Sequence, residues 1–334
     1  MRPETGTPAG MKGRSRRVEE QIKSKALALG FSAVGFARVE TMDTEGERLR
    51  EWLGRGYHAT MGWMARRVSE RLDPARSVPG ARSVVAVAVN YFHPAAHASD
   101  REKGKISRYA WGDDYHTVLG APLRQLERWL EREFPDCRAK AYVDTGPVLE
   151  KAWAQRAGIG WIGKHTNVIT RDRGSWVFLG ELITTLELEP DVSATDHCGT
   201  CMLCLEACPT GAIVEPYLLD AGRCISYLTI EHRGELPAEF IPQLEGWIYG
   251  CDICQDVCPW NERFAEPCER EEFAPREGML NPELVEWAHM SDEEFHARCE
   301  GSAITRTRPE GMRRNVSAVM AAVTPGADLQ HPTK

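Results

Sequence analysis

Eight of the eleven cysteines stand at spacings that commit the chain to fold around metal. One run is Cys198-x2-Cys201-x2-Cys204-x3-Cys208-Pro209, and a second is Cys251-x2-Cys254-x3-Cys258-Pro259, with Cys224 between them. Runs of this kind are typical of chains that bind two [4Fe-4S] clusters, in which the cysteine before proline ligates the other cluster. The spacing therefore predicts one cluster on Cys198, Cys201, Cys204 and Cys258, and another on Cys208, Cys224, Cys251 and Cys254.

Two other uses of these thiols are alternatives. Two zinc sites of four cysteines each would explain the CxxC pairs, but not two runs that both end in xxxCP. A disulfide framework does not suit a long chain whose CxxC pairs are typical of a reducing compartment, so we expect a cytoplasmic protein. The cysteines outside the pattern, Cys137, Cys268 and Cys299, are predicted to be structural.

Charge and hydropathy exclude two classes of protein. The net charge is -8, from 49 acidic and 41 basic residues, so the chain is not a general polyanion binder. Any contact with nucleic acid must come from a local basic patch. The longest apolar run, Val84–Val89, is far too short to span a bilayer, and we expect no membrane association. Residues 1–17 carry five basic side chains without an apolar stretch and are predicted to be a disordered tail.

Strand and helix patterns alternate through the first half of the chain, which predicts an α/β domain over residues 18–190. Strands are expected at 31–39, 83–91, 139–143 and 175–188, and helices at 18–29, 48–53, 118–134 and 147–157. The cluster module covers residues 191–268, of which 191–194 are predicted to be a linker. A C-terminal helical region follows over residues 269–334, with helices near 282–287, 291–298 and 311–323.

A second concentrated signal is the segment YVDTGPVLEKAWAQRAGIGWIGKHTNVI, residues 142–169. Asp144 follows a predicted strand and precedes a helix that Pro147 can begin, which places its carboxylate at the mouth of the sheet. Capping that helix is the alternative role for such an aspartate. Glycines at 158, 160 and 163 let the backbone approach a flat ligand, and Trp161 offers an apolar wall.

Together with the cysteines, several ordered motifs resemble the epoxyqueuosine reductase family over about residues 20–320. They are HATMGWMARR (58–67), SRYAWGDDYH (107–116), VDTGPVLEKAWAQRAGIGWIGKH (143–165), GSWVFLGEL (174–182), CISYLTIEHRG (224–234), IYGCDICQDVCPWN (248–261) and EGSAITR (300–306). The resemblance implies an oxidoreductase that reduces epoxyqueuosine to queuosine at the wobble base of tRNA anticodons, the final step of queuosine biosynthesis.

The resemblance also implies the fold and the cofactors. It predicts a nitroreductase-like α/β cobalamin-binding domain, a bacterial-ferredoxin-like two-cluster module and C-terminal HEAT-like helices. Cobalamin would be bound base-off and reduced to cob(I)alamin by the two [4Fe-4S] clusters, the one on Cys208, Cys224, Cys251 and Cys254 lying next to cobalt. Asp144 would be the proton donor, and we expect burial beside the corrin to raise its pKa. The expected partners are tRNA with a GUN anticodon and a low-potential electron donor such as ferredoxin or flavodoxin. The protein itself is expected to be a monomer.

The matched motifs supply the remaining candidate residues. The cobalamin-binding candidates are Arg66, Arg108, Tyr109, Asp144, Lys164, Val168, Leu179, Ser226, Cys251 and Asp252. His165 is expected to be a polar pocket residue and not a cobalt ligand. Phosphate contacts need Lys and Arg, and the tRNA-binding candidates are Arg233, Arg306, Arg308, Arg313 and Arg314.

Two other functions compete with this interpretation. A ferredoxin-type electron carrier would use the clusters, but it leaves no role for Asp144 or for the large domain ahead of them. A reductive-dehalogenase-like cobalamin enzyme would share the cofactors. Such relatives are usually exported by a twin-arginine signal, and Arg16-Arg17 lacks the apolar run that this signal requires.

Overall fold

A computed structural model describes the backbone of residues 9–323 and the side chains of residues 18–322. The strands are β1 (Ala33–Arg38), β2 (Ser83–Asn90), β3 (Lys105–Ile106), β4 (Ala139–Tyr142), β5 (Trp161–Ile162), β6 (Val168–Ile169), β7 (Val177–Thr184), β8 (Ile213–Glu215), β9 (Leu218–Leu219) and β10 (Trp247–Tyr249). The α-helices are α1 (Ala9–Ala28), α2 (Asp43–Gly54), α3 (Val68–Leu72), α4 (Tyr115–Glu133), α5 (Glu150–Arg156), α6 (Leu203–Glu206), α7 (Ile225–Ile230), α8 (Ile253–Asp256), α9 (Pro259–Phe264), α10 (Leu284–His289), α11 (Asp292–Cys299) and α12 (Arg308–Val323).

A four-stranded sheet in the order β1-β2-β7-β4 lies at the centre of the first half, and every pairing in it is antiparallel. Strand β2 is buried over its whole length, as its run of Val and Ala predicts. Helices α1 and α4 cover one face, where Leu119 and Leu123 pack on the sheet. Helix α5 covers the other face through Trp153. The alternation of strands and helices therefore builds an antiparallel sheet and not the parallel sheet of βαβ units.

Several helix boundaries differ from the sequence-based expectation: α2 begins at Asp43 and α12 at Arg308, each earlier than expected. Two further differences concern the tail and the loop of Asp144. Helix α1 begins at Ala9, so residues 9–17 of the predicted tail are helical, and residues 1–8 lie outside the described part of the chain. Helix α5 begins at Glu150 and not at Pro147. Residues 143–149 consequently form a loop after the edge strand β4, and Asp144 lies near its start.

The cluster module is fixed to the sheet by the predicted linker. The Asp191 carboxylate accepts a hydrogen bond from the backbone N–H of Phe36 (3.0 Å) and one from Lys23 Nζ (2.9 Å). Within the module, the short helices α6 and α8 each lie inside one of the cysteine runs. Buried Asn261 bonds the module to residue 175, because its Oδ1 accepts from Ser175 N (2.5 Å).

One apolar core crosses the predicted domain boundaries. Strand β3 pairs in parallel with β10, which brings Ile106 and Trp111 against Trp247 and the C-terminal helices. The side chain of Asn315 in α12 donates to the carbonyl oxygens of Thr229 (2.7 Å) and Ile248 (2.8 Å). The three regions thus share side-chain contacts.

None of the described helices combines the length and the apolar character that a membrane span requires.

Candidate functional site

A cavity of about 1140 Å³ lies where the sheet, the cluster module and the C-terminal region meet. This volume exceeds the range of about 300–1,000 Å³ that drug-sized ligands need. Seven of the ten predicted cofactor-binding residues line it: Arg66, Tyr109, Asp144, Val168, Leu179, Ser226 and Cys251. The structure therefore brings together residues from six of the matched motifs around one large space.

The seven cysteines of the two runs, together with Cys224, form two groups of neighbours. Burial and the neighbouring thiols raise the pKa of Cys204 to about 11, those thiols being Cys198, Cys258 and Cys201. Burial and the thiols of Cys224 and Cys254 raise the pKa of Cys251, and Cys208 lies near Cys224. Cys254 also lies near Cys204, so the two groups adjoin. In the described part of the chain, no three His, Cys, Asp or Glu side chains converge on a single metal ion.

The second thiol group faces the cavity, with Cys208, Cys224, Cys251 and Cys254 all in its wall. The first group lies away from it, beside the indole rings of Trp161 and Trp260, which meet edge to face at 4.7 Å. Trp161 therefore packs against the first thiol group and is not a wall of the cavity.

Three predicted cofactor-binding residues lie behind the cavity wall. Lys164 Nζ donates to the carbonyl oxygens of Gly199 (2.7 Å) and Cys201 (2.8 Å), which fixes the first cysteine loop. The buried Asp252 carboxylate accepts from Ser107 Oγ (2.5 Å) and from the N–H of Arg108 (2.8 Å). These contacts position the cysteine loops that would carry the clusters.

The Arg108 side chain also makes its contacts inside the protein. Its guanidinium is buried against the rings of Trp176 (4.5 Å) and Trp111 (4.9 Å). A buried Arg between aromatic rings contributes packing as well as charge.

The glycines at 158, 160 and 163 pack against their own chain. A Cβ at Gly160 would lie 2.3 Å from the carbonyl oxygen of Ile169, and one at Gly163 would lie 2.5 Å from the Ile169 side chain. At 160 and 163 the need for glycine thus comes from the tight hairpin of β5 and β6, and at 158 from the carbonyl oxygen of Val192, 2.6 Å from a Cβ there. It does not come from a flat ligand, as the sequence suggested. Neighbouring His165 lines the cavity, and burial lowers its pKa to about 4, so its imidazole is neutral.

Asp144 forms a hydrogen-bonded chain with two residues at the start of α4. Its Oδ2 lies 3.0 Å from His116 Nε2, and His116 Nδ1 lies 2.7 Å from Asp114 Oδ1. Asp114 is also the N-cap of α4, because it accepts from the His116 N–H at 3.0 Å. His116 was missed by the sequence analysis, although it is the last residue of the matched motif SRYAWGDDYH.

In the hydrogen-bonded series of Asp114, His116 and Asp144, the proton resides on His116. Burial opposes a charged imidazole, but the hydrogen bonds to Asp114 and Asp144 prevail and raise the pKa of His116 to about 9. Burial would raise the pKa of Asp144, but the hydrogen bond and charge of His116, with the hydrogen bond from Tyr115, together outweigh burial and the pKa is lowered. The expectation of a raised pKa for Asp144 is therefore wrong for this arrangement.

The five arginines predicted to bind tRNA divide into two kinds. Arg306 lines the cavity mouth, pairs with Glu231 (2.8 Å) and lies over the ring of Trp63 (5.2 Å). Arg308 is exposed at the start of α12. The other three bind acceptors of the protein, including Ile230 O for Arg233, Asp292 for Arg313, and the carbonyls of Leu228, His232 and Gly234 for Arg314.

Comparison with known proteins agrees with this geometry. The family model described as epoxyqueuosine reductase QueG, DUF1730, matches residues 71–145, which carry the Asp114, His116 and Asp144 chain. The family model described as a 4Fe-4S double cluster binding domain matches residues 197–261. That match covers all eight cysteines and supports iron–sulfur clusters over zinc.

Similar proteins extend the likeness to nearly the whole chain. The epoxyqueuosine reductase of Synechocystis sp. is 51% identical over 83% of this chain and 95% of its own length. That of Gloeobacter violaceus is 50% identical over 90% of this chain and 95% of its own length. A crystal structure of epoxyqueuosine reductase with an epoxyqueuosine-modified tRNA-Tyr stem loop superposes with a TM-score of 0.87 at 35% identity, covering 92% of this chain and 82% of that one. The chain therefore belongs to the epoxyqueuosine reductase family and is an oxidoreductase.

Proposed function

We propose that this protein reduces epoxyqueuosine to queuosine at the wobble base of tRNA with a GUN anticodon, as the last step of queuosine biosynthesis. The observation that carries the proposal is the cavity, which has the second thiol group in its wall together with the Asp144–His116 pair. A redox reaction that also consumes protons needs both kinds of group at one place. The relative whose structure holds a modified tRNA stem loop supports tRNA as the substrate.

The cysteine groups fit two [4Fe-4S] clusters. We assign one to Cys198, Cys201, Cys204 and Cys258, and the other to Cys208, Cys224, Cys251 and Cys254, because these are the sets of neighbouring thiols. Thiolates are the ligands that such clusters require. Electrons from a low-potential donor such as ferredoxin or flavodoxin would pass from the first group to the second, which faces the cavity.

The cavity also fits cobalamin, a large ligand rich in amides. Its volume is suitable, and its lining combines apolar side chains such as Val168 and Leu179 with the hydroxyl groups of Ser226 and Tyr109. When bound, base-off cobalamin would supply electrons of low enough potential to cleave the epoxide C–O bond. The cavity-lining candidates would hold it, whereas Arg108, Lys164 and Asp252 position the cysteine loops.

The protein's own residues supply the protons. Removing the epoxide oxygen as water consumes two electrons and two protons. We propose that Asp144 transfers protons to this oxygen and receives them from His116, because the imidazolium is the protonated partner at neutral pH. Asp114 orients the imidazole through Nδ1. Asp144 is therefore the proposed proton donor, and His116 is the group that reprotonates it.

The antiparallel sheet covered by helices on both faces supports a nitroreductase-like core, and the packed helices α10, α11 and α12 support a HEAT-like C-terminal region. For tRNA, we propose that Arg306 and Arg308 face the substrate. Arg233, Arg313 and Arg314 instead stabilise the fold, because they do not line the cavity and their guanidinium groups bind acceptors of the protein. Arg306 also pairs with Glu231, but it lines the cavity and is exposed.

The test is direct conversion of the substrate. Protein reconstituted anaerobically with iron, sulfide and cobalamin is reduced and incubated with tRNA that contains epoxyqueuosine, and digested nucleosides are analysed by mass spectrometry. We expect the modified nucleoside to lose the mass of one oxygen atom, and only when cobalamin is present. No conversion by protein with both clusters reduced would overturn the proposal. A spectroscopic titration that shows no cobalamin binding would favour the electron-carrier alternative.

A further inference from the structure

A buried glutamate lies behind the cavity and has no part in the chemistry proposed above. Glu181 occupies the middle of β7, opposite Ala86 of β2 and Tyr142 of β4, and its side chain is fully buried. Neither of its carboxyl oxygens accepts a hydrogen bond from an N–H or O–H group in the described part of the chain. An ionised carboxylate without a donor is very costly to bury. Glu181 is therefore expected to hold a proton.

The group that Glu181 meets is the carboxyl group of Glu150, the first residue of α5. Two carboxyl groups can form a hydrogen bond only when one of them carries a proton, because ionised carboxylates are acceptors alone. Burial raises the pKa of Glu181 far above its usual range. Burial together with the charge of Asp144 raises the pKa of Glu150 to about 7. At neutral pH the pair keeps a proton on Glu181.

Glu150 in turn holds the backbone of the loop that carries Asp144. The N–H of Asp144 donates to Glu150 Oε1 at 2.5 Å. Asp144 has a φ of 55°, in the left-handed region that residues other than glycine adopt uncommonly. Such a conformation persists only when neighbouring contacts determine it. A continuous chain therefore runs from the interior of the sheet, through Glu181 and Glu150, to the backbone of Asp144.

We propose that Glu150 and Glu181 are positioning residues that share one proton and thereby hold Asp144 in place facing the cavity. The inference rests on the proposed function for the role of Asp144. With the proton present, the Glu181 O–H donates to Glu150, which accepts the Asp144 N–H. Without it, three neighbouring carboxylates are ionised and repel one another, which releases the loop. The other titratable groups that face the pair are Lys151 on α5, Arg71 on α3, Tyr115 on α4 and Tyr142 on β4.

Two substitutions at one position separate proton sharing from simple packing. Glu181→Gln keeps a donor toward Glu150 through its amide, whereas Glu181→Leu fills the same space without one. Hydrogen exchange of the Asp144 amide is followed by mass spectrometry of the peptide that contains it. The exchange rate measures how firmly the backbone of this loop is held in place. We expect slow exchange in the wild type and in Glu181→Gln, and exchange faster by about tenfold or more in Glu181→Leu.

Turnover gives the second readout. Glu181→Leu should lower kcat by roughly 10²-fold through misplacement of Asp144 and leave the KM for tRNA unchanged, while Glu181→Gln retains kcat. In the wild type, exchange at Asp144 should accelerate at alkaline pH beyond ordinary base catalysis, and in Glu181→Gln it should not. Glu187→Leu, an exposed position beyond the same strand, is the control and should change neither quantity.

Each outcome bears on the inference. Unchanged exchange and kcat in Glu181→Leu would overturn it, and equal loss in Glu181→Gln and Glu181→Leu would overturn proton sharing. If Glu181→Leu does not fold, Glu150→Ala at the start of α5 removes the acceptor and should release the loop in the same way. The exchange measurement needs neither cobalamin nor tRNA, so it stands even if the wild-type protein fails to convert epoxyqueuosine.

Discussion

The thiol groups and the proton-donating site are assembled in different ways. All the cysteines of both groups lie between residues 198 and 258, mostly in two loops with short helices. The proton-donating site takes Asp114 and His116 from the N-cap and first turn of α4, Asp144 from the loop after β4, Glu150 from α5 and Glu181 from β7. The first is dictated by local spacing, and the second exists only once the sheet has formed. Substitutions in the thiol groups should therefore lower the metal content, and substitutions in the proton-donating site should change proton transfer.

The largest effect is expected from the thiols. Cys251→Ser in the second group and Cys201→Ser in the first should each lower bound iron by about half and abolish turnover, since each removes one ligand of one cluster. Iron and sulfide analysis and nucleoside mass spectrometry measure the two quantities. Cys299→Ala, which changes a buried thiol outside both runs, should retain iron and turnover. Full iron content in Cys251→Ser would contradict the assigned ligand set.

Asp144→Asn should leave iron and cobalamin binding intact and lower turnover by roughly 10²–10⁴-fold, because the amide cannot transfer a proton. Asp136→Asn, at an exposed position before β4, is the matched control and should behave as the wild type. Single-turnover rates at saturating tRNA measure the effect. Turnover close to that of the wild type would remove Asp144 from the mechanism and leave the cluster assignment untouched.

The same contrast explains what the sequence could predict. The cysteine spacing predicted both thiol groups, and the apolar run at residues 83–91 predicted the central strand. Strand direction was not predictable, because alternation of strands and helices is compatible with the antiparallel order that β1, β2, β7 and β4 adopt. The start of α5 was placed early because Pro147 can begin a helix but does not have to.

Residues that act through distant partners escaped the sequence analysis. His116 is significant only because β4 brings Asp144 to its Nε2, and Glu181 is unusual only because its strand is buried on both faces. Conversely, the arginines at 313 and 314 resembled a phosphate-binding patch, although both bind acceptors within the fold. Charge along a sequence does not show which cations are already paired.

His116→Gln tests the position of the proton through pH. In the wild type, the imidazolium is present below a pKa of about 9, so turnover should fall as pH rises through that value. In His116→Gln the alkaline limb should disappear and turnover should be lower by roughly 10²-fold at neutral pH. A wild-type pH profile that is flat to pH 10 and beyond would show that His116 does not supply the proton.

The same histidine links stability to pH. Its pKa is raised on folding from 6.5 to about 9, so its contribution to stability is fully present below pH 6.5 and is lost as pH rises toward 9. Thermal unfolding between pH 6 and 10 should therefore show a smaller alkaline loss of Tm in His116→Gln than in the wild type. An equal loss in both proteins would assign the alkaline destabilisation to other groups.

The smallest effect is expected from the arginines, where Arg306 and Arg314 form a matched pair. Arg306→Ala should raise the KM for tRNA a few-fold and lower the slope of log K against log[salt] by about 1, because a phosphate contact at the cavity mouth is lost. Loss of its exposed pair with Glu231 should lower the free energy of unfolding by no more than about 1 kcal/mol. Arg314→Ala should leave that slope unchanged and lower the free energy of unfolding by about 1–3 kcal/mol, because three carbonyls at the end of α7 and beyond lose their donor. Binding titrations at several salt concentrations and denaturant unfolding separate the two outcomes. A changed salt slope in Arg314→Ala would return this arginine to the tRNA interface and make its contacts to the protein secondary.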